Sequence, residues 1–147
     1  MRRFLTFTAA IAIFGAAVVS GQMVTDEAGL DAAMKRVAQN NAVVGKSVKS
    51  GDFAAAKTAV AAVKQALVDA ENFWVMHKKA DAVAMSKDAV AKVTAVEALI
   101  GAATPDPVAI AAAQKEQGGA CTACHKQYRE TDATTTPPTN KLKPGTI

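Results

Sequence analysis

Aromatic side chains are scarce in this 147-residue sequence, which has one Trp, one Tyr and five Phe. Cysteine and histidine are scarcer, at two each. A dominant charge is missing too: 17 Lys and Arg face 13 Asp and Glu. No basic stripe with interleaved aromatics occurs, so nucleic acid is not an expected partner. Paired carboxylates, a nucleophile–base set and a phosphate-cradling glycine loop are all lacking, so no enzyme activity is expected. No segment alternates strictly enough to read as a strand. The length allows one domain. What fills the chain instead is alanine, 34 residues in all. Ala favours helix but occupies little volume. A core rich in Ala and poor in aromatics poses a packing question, because protein interiors tolerate few voids.

Residues 1–21 read as an address. Met1-Arg2-Arg3 is a short positive start, and Phe4 to Val19 is an apolar run interrupted only by small residues and Thr. That run falls short of the roughly 20 residues needed to span a bilayer. Val18-Val19-Ser20-Gly21 offers small residues to a signal peptidase. The expectation is a secretory signal peptide, a periplasmic location and no stable membrane span after cleavage. An uncleaved N-terminal anchor is the rival reading. Cleavage near Gly21 leaves only Phe53, Phe73, Trp74 and Tyr128 as aromatics.

The rest reads as four helices. In the first, about 26–49, Leu30, Met34, Val37, Asn41, Val44 and Val48 form a seam at steps of three and four. Thr25 is its expected cap, and Ser50-Gly51 its stop. Asp52 caps a second helix with the seam Phe53, Ala56, Val60, Val63, Leu67, Ala70, Trp74 and His77. A third covers about 81–102, with Val83, Val90, Val93, Val96 and Ile100 apolar. Asp106 and Pro107 start a fourth, reaching about Glu130. Short connections make an all-α, antiparallel four-helix bundle the expected fold over 22–131. Residues 132–147, rich in Thr, Pro and Lys, read as a flexible tail unable to bury a face.

The chemistry is concentrated in Cys121-Thr122-Ala123-Cys124-His125, a C-x-x-C-H run that is the attachment signature of c-type haem. The two thiols add across the haem vinyl groups as thioethers, and the following imidazole becomes the proximal iron ligand. In a chain of this composition the run arises by chance only roughly twice in ten thousand. Three other readings remain. They are a structural disulfide, a thioredoxin-like redox pair lacking its βαβ context, and a zinc site short of a fourth ligand, with only His77 or carboxylates to offer.

A helical chain with C-x-x-C-H near its end resembles the class II c-type cytochromes, the cytochrome c′ and cytochrome c556 group. Tyr128 and Arg129 extend the likeness, since that group carries an aromatic and a basic residue at these offsets. The resemblance covers about residues 26–131. It implies a four-helix bundle binding one covalent haem c, with Cys121 and Cys124 as thioether sites and His125 as proximal ligand. The tail departs from some members of the group.

The sixth coordination position decides the function. Low-spin members use a Met on the first helix, and cytochrome c′ leaves the position open to small gases. Met34, on the seam of the first helix, resembles the low-spin pattern. A Met/His pair raises the iron's reduction potential. The expected function is therefore periplasmic electron transfer through a six-coordinate His/Met haem. The alternative is a five-coordinate haem protein that binds NO or CO. Met34 has a plainer reading as a core gap-filler. His77 is a rival distal ligand, against a solvent-facing role beside Lys78 and Lys79. Met23, Met76 and Met85 have no positional argument.

Trp74 and Arg129 are candidate haem contacts; an ordinary core residue and a solvated cation are the alternatives. Gly118-Gly119 either lets the backbone approach the porphyrin or marks a bend. Lys78, Lys79, Lys126 and Arg129 form either a docking rim for an acidic redox partner or ordinary dispersed surface charge. The redox partner's identity and a homodimer are left open. The porphyrin itself would supply the missing aromatic volume.

Overall fold

The computed structural model describes residues 23–147. The signal-peptide expectation for 1–21 lies outside the described residues. Four helices follow in order: α1 (Glu27–Ser50), α2 (Phe53–Met76), α3 (Ala80–Ile100) and α4 (Pro107–Tyr128). Two short strands close the chain, β1 (Arg129–Asp132) and β2 (Thr139–Leu142).

The helix boundaries follow local chemistry. Asp26, rather than Thr25, caps α1, its carboxylate accepting from the Gly29 N–H at 2.7 Å. Gly51 ends α1 at φ 75°, a left-handed conformation that favours glycine. Asp52 caps α2 through the Ala55 N–H, and Asp106 caps α4 through the Val108 N–H, with Pro107 following. These caps satisfy backbone donors that have no partner within the helix.

Each helix packs along the next one in sequence, while α1 and α4 meet only sparsely. The pairings between helices show that neighbours run in opposite directions. Arg36 on α1 meets Asp69 on α2 at 2.7 Å, Lys64 on α2 meets Glu97 on α3 at 2.8 Å, and Lys92 on α3 lies 3.9 Å from Glu116 on α4. Among these, Asp69 is fully buried and also accepts from Gln65 at 3.0 Å.

The core divides in two. One cluster, toward the end where α1 stops, is built from Val37, Val44, Val60, Val63, Val93, Val96, Ile110 and interleaved Ala. Branched aliphatics and Ala fill it, with Phe53 only at its margin. The second cluster, at the opposite end, gathers Val24, Leu30, Ala33, Ala70, Phe73, Trp74, Ala82 and Tyr128. Three of the aromatics stack there. Phe73 and Trp74 meet edge-on at 5.0 Å, and Trp74 and Tyr128 are tilted at 5.0 Å.

The chain after Asp132 departs from the expectation of an unstructured tail. β1 and β2 pair antiparallel, with Arg129 opposite Leu142 and Asp132 opposite Thr139. Leu142 packs against the aromatic cluster, and Thr146 is buried. The physical reason is the turn. Asp132 accepts from the Thr134 N–H and hydroxyl, and Thr135 bonds to Thr139 across the loop. Thr and Asp side chains of this kind close turns on their own backbone. Held by Thr134 and then Lys141, the Asp132 carboxyl sits down at about 2.

Candidate functional site

The run Cys121–His125 lies inside α4, which continues unbroken from Pro107 to Tyr128 through Gly118 and Gly119. A side chain added at either glycine would meet no atom within 4 Å, so neither serves close packing of protein against protein. Cys121 and Cys124 are three apart on a helix and so share one face. Both are free and half-buried, as is His125 beside them. Between Gln117 and Tyr128, α4 contributes no fully buried residue. The face that carries the motif is therefore only partly covered by the other elements.

Burial pushes both thiols up, and for Cys124 the Cys121 and Asp81 charges add to that shift. A reactive thioredoxin-like pair needs the opposite shift. Burial, and then the Arg129 charge, lowers the pKa of His125. That favours the neutral imidazole, the form with a lone pair to donate. Among the described residues no group of three or more His, Cys, Asp or Glu converges as a metal cluster, so a zinc site does not gain the ligands it lacks.

Met34 is half-buried and packs against both core clusters. Its height along the bundle follows from one hydrogen bond, in which Gln117 on α4 donates to Asn41 on α1 at 3.3 Å. Two turns back along α1 and two turns forward along antiparallel α4 lead to Met34 and Cys124. Seven residues nearly complete two turns, so both stay on the faces that Asn41 and Gln117 define. Met34 and Cys124 in turn pack against the same aromatic cluster.

The other candidates divide. Trp74 is buried in that cluster and stacks on Tyr128. Arg129 is exposed at the end of α4 and acts on His125 through its charge. His77 caps the end of α2, stacks on Phe73 at 4.3 Å and lies 3.4 Å from the Thr25 carbonyl. Lys78, Lys79, Lys126 and Arg129 belong to the helix ends nearest the aromatic cluster.

Sequence reasoning missed three neighbours of this site. Met85 on α3 and Leu142 on β2 both pack against the cluster shared by Met34 and Cys124. The Met85 signal was available, since Ala82, Ser86 and Ala89 mark a buried stripe beside it. Asp81 is the third. Its carboxylate takes a hydrogen bond from Gln127 at 2.9 Å. The Tyr128 hydroxyl lowers Asp81, while burial and then Asp81 push Tyr128 up to about 12.

A groove of about 300 Å³ at the start of α1 is lined by Met23, Val24, Asp26, Gly29, Ala32 and Arg36, among others, and includes no motif residue. No helix among the described residues is long and apolar enough to cross a membrane. No family model matches the chain, and no curated protein or solved structure is significantly similar to it.

Proposed function

We propose that the chain is a class II-like, monohaem c-type cytochrome that carries electrons in the periplasm through a His/Met-ligated iron. The observation that carries this reading is the shared placement of Cys121, Cys124 and His125 on a half-covered face of α4, level with Met34 on α1. The donor set fits such a group. Cys121 and Cys124 are free thiols on one face, able to form two thioethers, and His125 offers a lone pair. The haem, when bound, supplies one-electron exchange between ferric and ferrous iron.

The chain's own residues do the rest. Cys121 and Cys124 would tether the group to α4, and His125 would be its first iron ligand. Met34 would offer a thioether sulfur from α1 as the second iron ligand. Trp74 and Tyr128 give the site an apolar wall and keep water from it. With His125 and Met34 both on the iron there would be no place for a substrate, so electron transfer rather than catalysis is the proposed role. The partners are redox proteins, with dimerisation open.

The second reading is a five-coordinate iron open to NO or CO. One observation favours it: Met34 packs against both core clusters, as a gap-filling Met also does. Acid-acetone extraction and absorption spectra of the purified protein test both readings. Haem that resists extraction, with low-spin ferric bands and a sulfur-to-iron charge-transfer band, is expected. Extractable or absent haem would remove both readings, and a high-spin ferric spectrum across neutral pH would remove the first.

A further inference from the structure

α1 and α4 carry the two candidate iron ligands, yet they touch only sparsely. At the level of the motif, the C-terminal hairpin spans them. β1 leaves α4 directly, with Arg129 following Tyr128, and β2 returns against α1. Leu142 is the partly buried apolar side chain of β2, and it packs on the cluster of Leu30, Ala33, Trp74 and Tyr128, against which Met34 and Cys124 also pack. The strand is also pinned to the end of α4. The Lys143 N–H donates to the Tyr128 carbonyl at 2.9 Å, and Lys143 Nζ donates to the Lys126 carbonyl at 2.8 Å. Lys141 ties the two strands together through Glu130 and Asp132. The hairpin is thus fixed to α4 by hydrogen bonds and to the α1 side by apolar contact.

We infer that this hairpin is a clasp that sets the spacing of α1 and α4 at the motif, with Leu142 as the positioning side chain that keeps Met34 on the iron. The inference rests on the His/Met reading above. Met34 ligation is an equilibrium between bound and released sulfur, and the clasp biases it toward the bound form. An external ligand binds only the released form, so its apparent affinity is reduced by the fraction released. Loosening the clasp raises that fraction without altering any iron ligand.

The test is an imidazole titration of the ferric holoprotein, followed by absorption, in wild type, Leu142→Ala and Leu142→Met. Leu142→Ala is expected to bind imidazole about tenfold more tightly, the equivalent of about 1.4 kcal/mol. Leu142→Met, similar in volume, is expected to match wild type. A Leu142→Ala protein with a lower urea midpoint but unchanged imidazole affinity has lost packing alone, and that result overturns the clasp. Should Leu142→Ala not fold, Leu142→Val is titrated instead, with the same change expected in smaller measure and no change again overturning it. A wild-type protein that is high-spin, with a spectrum unmoved by Met34→Leu, removes the His/Met reading and the clasp together. A low-spin wild type indifferent to Leu142 removes the clasp alone.

Discussion

Gln117 on α4 donates to Asn41 on α1, the only side-chain hydrogen bond between those helices among the described residues. Gln117 is buried and Asn41 half-buried. Truncating Gln117 to Ala leaves Asn41 without this partner and is expected to cost about 1–2 kcal/mol. Replacing both residues with Leu is expected to cost less than Gln117→Ala, because no polar group is then stranded. Urea unfolding of the two variants reads the difference.

Met34 is tested by separating sulfur from volume. Met34→Leu keeps the packing and is expected to change stability by less than about 1.5 kcal/mol. Under the His/Met reading it converts the ferric spectrum from low-spin to high-spin and lowers the reduction potential. Met85→Leu, beside the same cluster, is expected to leave the spectrum as it was. Spectra and potentiometry of both variants decide whether Met34 is a ligand.

Arg36 and Asp69 form an unequal pair. Asp69 is buried at 1% side-chain exposure, while Arg36 is 38% exposed. Arg36→Met strands a buried carboxylate with only Gln65 to meet it, whereas Asp69→Leu leaves a guanidinium that water can reach. After allowing for the exposure of Arg36, Arg36→Met is expected to cost about 2 kcal/mol, the more damaging of the two changes. Equal losses in urea unfolding would contradict this ranking.

Tyr128 ties stability to alkaline pH. Burial, and then Asp81, pushes its hydroxyl up to about 12 from an ordinary 10. Folding thus favours the protonated phenol. The stabilisation is fully present below pH 10 and is lost as pH rises from about 10 to about 12, where the unfolded chain holds fewer protons. Absorbance at 295 nm isolates this residue, because the chain has one Tyr. Asp81→Asn is expected to lower the midpoint while leaving it above the ordinary value, since burial persists. Tyr128→Phe is expected to remove this residue's part of the alkaline destabilisation.

The helices were legible because their punctuation is local. Asp52, Gly51, Asp106 and Pro107 act within a turn of the boundaries they set. The seams were legible wherever Val, Leu or Ile marked them. Ala33, Ala59 and Ala66 are just as buried, but in a chain this rich in Ala another Ala carries no signal. Asp69 also went unread, since its partner lies a helix away at Arg36. The hairpin escaped because RETD and TNKL carry no apolar alternation, and their pairing is set by Thr–Asp turn bonds. Of the site, Cys121, Cys124 and His125 were legible as spacing. The level of Met34 with Cys124 needed the Asn41–Gln117 contact.

Stacking each helix on its predecessor gives folding an order in time. Most contacts join elements adjacent in the chain, which is the topology that assembles fastest. The α1–α4 and α1–β2 contacts join the two ends of the described chain, and they bear the largest loop-closure cost. Pairing each helix with the next thus needs only a short loop, whereas bringing α1 against α4 and β2 is the step that both core clusters share.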